Sequence, residues 1–384
     1  MNIPLFRIYW DDDDVRSVTK IIQQGSDWAS GPKIDEFEKK ISDYVKARYC
    51  VTFNSGTSAL HATILAYGIS SGDEVIVPSF TFISTANSVL FVGAAPVFAD
   101  IEKTTFGLDP DSVNEKITRK TRAIIPVHYG GCPCHIREIR EIAQDNNLLL
   151  IEDAAESMGA RIATKKIGTF GDATMFSFCQ NKIISTGEGG AITTDSKELY
   201  DHLKMIRSHG REDCQNYFTT SDYVEYVTLG YNFRISEIAA ALGISQTNKI
   251  DKIIKMRRDK ADYLSKMLKK VNFIKIPEFP KEYFSVYQLF TIWVRGGKVP
   301  RDNLIKWLKK RKIASKVYFF PVHQTTFYRD RSSDLNMRLP VTEEASDHVL
   351  TLPLYPTIDK AEMDYMIDVI REMDDSFKKT IIEK

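Results

Sequence analysis

Short apolar runs alternate along this chain with segments of helical periodicity, and this alternation constrains the fold more than any other feature. The run Leu148–Ile151 is apolar at every position, which is typical of a strand buried on both faces of a sheet. Further strand-like runs occur at 74–78, 96–99 and 123–127, and apolar residues at helical spacing follow over 136–142. Strands that alternate with helices pair mostly in parallel and carry helices on both faces. The sequence therefore predicts an α/β protein with a mostly parallel central sheet.

The chain is long enough for two domains. Its 384 residues exceed the size at which one hydrophobic core usually serves a whole chain. A helical pattern runs from Ser236 to about Lys269, and an apolar strand-like run follows at 286–294. We predict a large domain at residues 1–249 and a smaller C-terminal α/β domain at residues 250–384.

The charges of the chain are nearly balanced. Lysine and arginine number 52 against 51 aspartate and glutamate residues, so the net charge is +1. Such a balance gives no general attraction to nucleic acid or to an anionic membrane surface. The N-terminal residues MNIPLFRIYWDDDD lack the continuous apolar region of a signal peptide, and no apolar run approaches the ~18 residues of a membrane span. We therefore expect a cytoplasmic protein that binds neither nucleic acid nor membrane.

The cysteines favour neither a disulfide framework nor a metal site. The chain has five cysteines, an odd number without paired spacing. Cys132 and Cys134 lie close together, but no second pair stands at a distance typical of a zinc site. This usage fits a reducing compartment, and we predict no metal.

One lysine lies between two segments of distinctive composition. Lys182 follows the aromatic run Phe176–Phe178 and precedes the glycine-rich turn Gly187–Gly190. A lysine that attacks a carbonyl must lose its proton, and burial among apolar groups lowers the pKa of its amine. The alternative is a solvated lysine in a glycine-rich loop, which is the more common case because most lysines are exposed.

Two further stretches favour a functional lysine. Asp153 and Glu156 follow the strand-like run Leu148–Ile151, at the edge where open α/β sheets bind ligands. The stretch Asn54–Ala59 follows a strand-like run at 49–53 and opens a helical pattern, and a helix N-terminus with small and hydroxyl residues is suited to a phosphate. A phosphate site, a carboxylate and a lysine are the partners that pyridoxal phosphate (PLP) requires. A helix N-cap is the alternative role for Asp153.

Several stretches arrive in the order typical of one enzyme family. They are WASGPKIDEFE, NSGTSALHATILA, GDEVIVPSFTFISTANSV, GAAPVFADI, AIIPVHYGG, LLLIEDAAESMGA, FSFCQNKIISTGEGGAITT and LGYNFRISEIAAALGISQ. Over roughly Asp27–Arg258, and more weakly to the end, the chain resembles the DegT/DnrJ/EryC1/StrS family of PLP-dependent nucleotide-sugar aminotransferases. The resemblance implies the type I, aspartate-aminotransferase-like fold, with PLP as the cofactor.

The resemblance assigns a catalytic role to Lys182 and cofactor-binding roles to Asp153 and Glu156. Lys182 matches the lysine that binds the cofactor's aldehyde covalently and later carries a proton to and from the substrate carbon. Asp153 matches the carboxylate that faces the pyridine nitrogen, and its negative charge keeps that nitrogen protonated. Glu156 matches the position that faces the ring hydroxyl, where the family often has glutamine or histidine.

The resemblance also assigns binding roles to five further residues. Gly56 and Thr57 match the phosphate-binding turn, and Ser177 matches a cofactor-binding position in the lysine segment. Phe82 matches the aromatic residue that stacks on the pyridine ring, although a phenylalanine at a strand end is usually a core residue. Asn232 matches the asparagine that reaches the phosphate of the other subunit, which implies a homodimer with shared active sites. A turn or capping role is the alternative for Asn232.

The resemblance implies amino transfer from an amino acid, with L-glutamate expected, to a keto group of a nucleotide-linked deoxy sugar. The segments Asn181–Ile184 and Gly187–Gly190 resemble members that act at C4 of the sugar, so we expect C4. The segment 315–323 resembles the family's substrate side but follows Ala314, where a glycine-containing turn is common. The aperiodic segment 213–228 is predicted to be a loop that covers the site.

Three alternative functions are weighed against this one. A dehydratase branch of the same family has histidine in place of the lysine, so Lys182 argues against it. A non-catalytic PLP-binding sensor would need an output domain, for which the predicted domains leave no room. A nicotinamide enzyme lacks support because no G-x-G-x-x-G follows a predicted strand.

Overall fold

The computed structural model describes residues 1–212, 223–331 and 337–382, which form an α/β fold. The strands within these residues are β1 (Tyr49–Phe53), β2 (Glu74–Pro78), β3 (Ala95–Ala99), β4 (Thr121–Ile124), β5 (Leu149–Asp153), β6 (Arg161–Ile162), β7 (Lys165–Lys166), β8 (Ala173–Ser177), β9 (Gly190–Thr194), β10 (Ile274–Lys275), β11 (Tyr283–Phe284), β12 (Phe290–Val294) and β13 (Val349–Leu352). The α-helices within them are α1 (Asp12–Gln24), α2 (Pro32–Val45), α3 (Gly56–Ala66), α4 (Ser84–Phe91), α5 (Pro110–Glu115), α6 (Ile136–Asp145), α7 (Lys197–Arg207), α8 (Glu237–Asn248), α9 (Ile250–Leu268), α10 (Lys298–Lys310), α11 (Thr326–Arg329), α12 (Pro340–His348) and α13 (Lys360–Ile382).

The central sheet has seven strands in the order β1-β9-β8-β5-β4-β2-β3. Strand β9 is antiparallel to its neighbours β1 and β8, and the other neighbouring pairs are parallel. The carboxyl ends of β1, β2, β3, β4, β5 and β8 therefore lie at one edge of the sheet, together with the amino end of β9. This arrangement confirms the predicted α/β class and brings the stretches singled out above to a common edge.

Both faces of this sheet are covered by apolar cores. Ile124 and Phe176 belong to one core, whereas their chain neighbours Ala123 and Met175 belong to the other. Successive side chains of a strand point to opposite faces, so a strand between two cores must be apolar throughout. This explains why the central strands read as continuous apolar runs.

A third core lies in the C-terminal part of the chain. It joins α9, α10 and α13 to the sheet β10-β12-β13 through Ile292, Leu308, Leu350 and Ile370, and the N-terminal Ile3 packs into it as well. The backbone of Ile3 also donates to the Lys312 carbonyl. The division at residue 249 remains a prediction.

The structure shortens two predicted elements. The run 286–294 forms a strand only from Phe290, because the N–H groups of Val286 and Leu289 donate to the carbonyls of Gly131 and Gly130. The helical pattern that begins at 236 is divided at Lys249, whose backbone φ of −116° separates α8 from α9. The first departure comes from contacts between distant parts of the chain, which a local pattern cannot indicate.

Candidate active site

Asp153 ends β5 and lies almost fully buried, at 4% exposure. Its Oδ2 accepts a hydrogen bond from Thr85 Oγ1 at 2.8 Å, and its Oδ1 accepts one from the Ala155 N–H at 3.1 Å. Burial raises the pKa of Asp153, whereas the two donors and the charge of Lys182 oppose that shift and the charge of Glu156 adds to it. Turns rather than a helix follow Asp153, so the N-cap alternative is wrong.

Lys182 forms an ion pair with Glu156. The distance from Lys182 Nζ to Glu156 Oε1 is 3.3 Å, and the two side chains are only 15% and 7% exposed. The other carboxylate oxygen, Oε2, accepts a hydrogen bond from the Gly130 N–H at 2.9 Å. Glu156 is therefore fixed by the backbone, and it fixes the lysine in turn. The alternative of a solvated loop lysine is wrong.

Backbone hydrogen bonds join the two ends of the segment that carries Lys182. The Phe178 N–H donates to the Gly189 carbonyl at 2.9 Å, and the Thr186 N–H donates to the Phe178 carbonyl at 3.0 Å. Gln288 Nε2 donates to the Asn181 carbonyl from the C-terminal part of the chain. The lysine is thus presented by a rigid turn that two parts of the chain hold in place.

The N-terminus of α3 packs tightly against β8 and β9. A Cβ atom added at Gly56 would lie 2.9 Å from Met175 Sδ and 3.3 Å from Ser177 Cβ, and one at Gly190 would lie 2.5 Å from the Gly56 nitrogen. At Gly190 only glycine permits this approach, because a side chain would meet the backbone of Gly56, whereas at Gly56 the side chains of Met175 and Ser177 would have to shift. The first N–H groups of α3, in the turn that contains Gly56 and Thr57, have no partner within the helix, which suits them to a phosphate.

Phe82 is exposed, although a strand-end phenylalanine is usually a core residue. It is 61% exposed, whereas Phe80, two residues earlier, is fully buried. Strand β2 ends at Pro78, so the alternation of the strand no longer governs these positions. The exposed ring of Phe82 is available to contact a ligand, and its stacking role remains a prediction.

Asn232 lies beside the start of α3 in its own chain. Its backbone pairs with Ser208, and its carbonyl accepts a hydrogen bond from Asn54 Nδ2 at 3.4 Å. The side chain of Asn232 is exposed. A contact with a second subunit is compatible with that exposure and remains a prediction.

These positions fit PLP. The carboxylate of Asp153 has further lone pairs, beyond the two that accept from Thr85 and Ala155, with which it can accept a hydrogen bond from a ligand. The start of α3 is suited to a phosphate. The amine of Lys182 is held in position by the carboxylate of Glu156. The three groups follow the carboxyl ends of β5, β1 and β8. Sequence reasoning missed Thr85, Gly130 and Gln288, because nothing local to these residues indicates their partners.

The described residues contain no cluster of potential metal ligands. Across residues 1–212, 223–331 and 337–382, no group of three or more His, Cys, Asp or Glu side chains could hold a metal ion. Burial raises the pKa of the thiols of Cys132 and Cys134. Most of the segment predicted to cover the site, residues 213–222, lies outside the described residues.

Comparison with known proteins identifies the family. The sequence profile of the DegT/DnrJ/EryC1/StrS aminotransferase family matches residues 9–371. GDP-perosamine synthase of Escherichia coli O157:H7 is 35% identical over 349 residues, covering 90% of this chain and 92% of that protein.

Solved structures agree with the fold. DesV of S. venezuelae superimposes with a TM-score of 0.88 at 30% identity, covering 97% of this chain and 98% of that one. Spr1654 of Streptococcus pneumoniae, in its PLP form, has a TM-score of 0.91 at 27% identity, covering 98% and 99%.

These matches confirm the resemblance, the fold class, the enzyme class and the cofactor predicted from the sequence. Asp153, the start of α3 and the segment that carries Lys182 lie at or after the carboxyl ends of β5, β1 and β8, and the family profile spans both predicted domains. The chain therefore belongs to the DegT/DnrJ/EryC1/StrS aminotransferase family.

Proposed function

We propose that this protein transfers an amino group from L-glutamate to the C4 keto group of a nucleotide-linked deoxy sugar, with PLP as its cofactor. The observation that carries the proposal is the pairing of Lys182 with Glu156, at 3.3 Å, beside the buried Asp153. Glu156 fixes the position of the lysine amine, and a lysine amine positioned in a largely desolvated site can act as a nucleophile on a carbonyl.

Each side chain has a distinct task in this proposal. PLP, when bound, supplies a carbonyl that accepts amino groups and a ring that accepts electrons. Lys182 Nζ would hold the aldehyde group of the cofactor and would move a proton at the reacting carbon of the substrate. Asp153 would hold the ring nitrogen and Glu156 the ring hydroxyl, while Glu156 Oε2 accepts the hydrogen bond of the Gly130 N–H.

Further residues hold the rest of the cofactor. Gly56 and Thr57, in the first turn of α3, would bind the phosphate, and Ser177, at the end of β8, lies beside them. Its Cβ is 3.3 Å from where a Gly56 side chain would begin. Phe82 would stack on the ring and exclude water from one of its faces.

The sugar substrate follows from the lysine segment and from the relatives. Asn181–Ile184 and Gly187–Gly190 have the form that resembles members acting at C4. One relative is named for GDP-perosamine, a sugar linked to a nucleotide. The name of the relative supports a nucleotide-linked sugar as the substrate, and the form of the lysine segment supports amination at C4.

Product analysis tests the position of amination. The purified enzyme, incubated with glutamate and a panel of nucleotide-linked keto sugars, should form an amino sugar whose NMR spectrum places the amine on C4. The reacting carbon of the sugar and the nitrogen that attacks it must come within about 3 to 3.5 Å of each other. One position of amination should therefore dominate. Reactions without glutamate, or with Lys182→Ala protein, serve as controls. An amine on C3, with C4 still bearing oxygen, contradicts the C4 proposal.

We also propose a homodimer with shared active sites. The exposed Phe91 and the half-buried Tyr231 both pack on His61, with ring centroids 5.2 Å and 5.1 Å away. Leu229, two residues before Tyr231, is 76% exposed. This partly apolar surface also carries the exposed Asn232, and a second copy of the chain would cover it.

Hybrid dimers test the sharing of sites. A hybrid of one Lys182→Ala subunit and one Asn232→Ala subunit has one intact site if Asn232 serves the partner, because both defects then fall in the other site. We expect the purified hybrid to keep about half of the wild-type turnover per dimer. Both homodimeric variants should be much less active. A hybrid no more active than its parents would show that Asn232 acts within its own subunit or not at all.

We propose that the protein works in the cytoplasm. No helix in the described ranges combines the length and the apolar character that crossing a membrane requires. Cys50, Cys132, Cys134 and Cys179 are free thiols, which supports a reducing compartment.

A further inference from the structure

One threonine hydroxyl binds the carboxylate of Asp153, and a second threonine hydroxyl contacts the first. Thr85 Oγ1 donates to Asp153 Oδ2 at 2.8 Å, and Thr81 Oγ1 lies 3.0 Å from Thr85 Oγ1. Asp153, Thr85 and Thr81 are 4%, 0% and 3% exposed. Because the side chains are buried, bulk water does not compete for these hydrogen bonds.

The carboxylate of Asp153 sets the direction of the two hydrogen bonds that link Thr81, Thr85 and Asp153. An ionised carboxylate only accepts hydrogen bonds, so the single hydroxyl proton of Thr85 is committed to Asp153. Thr85 Oγ1 is then the acceptor in its contact with Thr81, whose hydroxyl must donate. Both O–H dipoles therefore point towards Asp153, and consecutive hydrogen bonds of this kind strengthen one another.

Burial works against the charge of Asp153, which makes these donors important. A buried carboxylate is stable as an anion only when donors or cations compensate for lost water. The compensating groups are the Ala155 N–H at 3.1 Å, the Thr85 hydroxyl and the positive charge of Lys182, while the charge of Glu156 acts in the opposite sense. Thr85 is the one side chain that contributes a hydrogen bond to Asp153 among the described residues.

We propose that Thr85, supported by Thr81, is a positioning residue that keeps Asp153 ionised and so keeps the ring nitrogen of bound PLP protonated. The proposal rests on the pairing of Asp153 with that nitrogen in the proposed function. Thr81 and Thr85 flank Phe82, the proposed stacking residue. One short stretch, from the loop after β2 to the first turn of α4, would thus serve both the face of the ring and the carboxylate that faces its nitrogen.

The test measures the protonation of the ring nitrogen directly. PLP labelled with ¹⁵N in the ring is bound to the holoenzyme, and the ¹⁵N resonance is compared between wild type and variants. Thr85→Val, which keeps the shape and removes the donor, should move the resonance towards that of an unprotonated nitrogen and weaken PLP binding by about ten-fold. Thr85→Ser should restore both properties, and Thr81→Val should produce a smaller change in the same direction.

Two controls separate this role from a general loss of stability. Thr247→Val removes a buried hydroxyl that donates to the Gly243 carbonyl within α8, and it should leave the ¹⁵N resonance unchanged. Thr85→Ala removes the donor in a smaller side chain, so it provides a second test if Thr85→Val fails to fold. Thermal midpoints of the cofactor-free variants report folding.

The outcomes distinguish the proposal from the function on which it rests. The Asp153→Asn protein can lose the protonated-nitrogen signal while the folded Thr85→Val or Thr85→Ala protein keeps it. That result would overturn the role of Thr85 and leave the pairing of Asp153 with the ring nitrogen intact. If Asp153→Asn also keeps the signal, the pairing itself is wrong and the role of Thr85 falls with it.

Discussion

Replacement of Lys182 by alanine is expected to abolish turnover and the visible absorption band of the lysine-bound cofactor. The variant loses the amine that binds the aldehyde and also the group that moves the substrate proton. Loss of proton transfer alone lowers rates by about 10²- to 10⁴-fold, and loss of the covalent bond adds to this. Absorption spectra of the purified protein and single-turnover assays with glutamate measure both effects.

Lys182→Arg is the matched control. It keeps a positive charge beside Glu156, so the ion pair at this position is retained, but a guanidinium stays protonated and cannot act as the nucleophile. We expect Lys182→Arg to fold with near wild-type stability and to be as inactive as Lys182→Ala. Added small primary amines should partly restore the proton transfer in Lys182→Ala. An alanine variant that keeps both the band and turnover would show that another residue binds the cofactor.

Asp153→Asn is expected to lower kcat by about 10²- to 10³-fold, the range typical of removing one preorganised electrostatic group. The substitution keeps the shape of the side chain and the acceptor for Thr85 but removes the negative charge. The ring nitrogen would then lose the partner that favours its protonation, and the ring would accept electrons less well. Steady-state kinetics and the absorption spectrum of the holoenzyme measure the change.

Glu152→Gln controls for the loss of a buried carboxylate in the same strand. Glu152 is fully buried and accepts hydrogen bonds from His128 Nε2, at 3.1 Å, and from the Phe170 and Gly171 N–H groups. Successive strand residues face opposite sides of the sheet, so Glu152 points away from the Asp153 side. An amide at this position would face the His128 N–H, and we expect a loss of about 1–3 kcal/mol in unfolding free energy with an unchanged cofactor spectrum. Equal catalytic losses in the Glu152 and Asp153 variants would argue against a specific role for Asp153.

The local sequence was sufficient to predict the fold class and to identify the lysine, the carboxylate and the phosphate site as candidate functional groups. Apolar runs such as Leu148–Ile151 indicated strands buried on both faces, because two cores demand an apolar residue at each position. Since parallel strands end at one edge, the groups after β1, β5 and β8 could be expected to meet. The family motifs then assigned roles to Lys182 and Asp153 that spacing alone left open.

The tertiary structure decided which groups support the site. Thr85 and Asp153 are 68 positions apart in the chain, and Gln288 and the Asn181 carbonyl that it binds are 107 apart. Such contacts depend on the order and register of the strands and on the packing of α4. The local periodicity of apolar residues carries no information about either. The exposure of Phe82 beside the buried Phe80 likewise follows from the end of β2 at Pro78. Sequence therefore determined the elements and their chemistry, and packing between distant segments determined the environment of each charge, because burial and hydrogen bonding arise only when those segments meet.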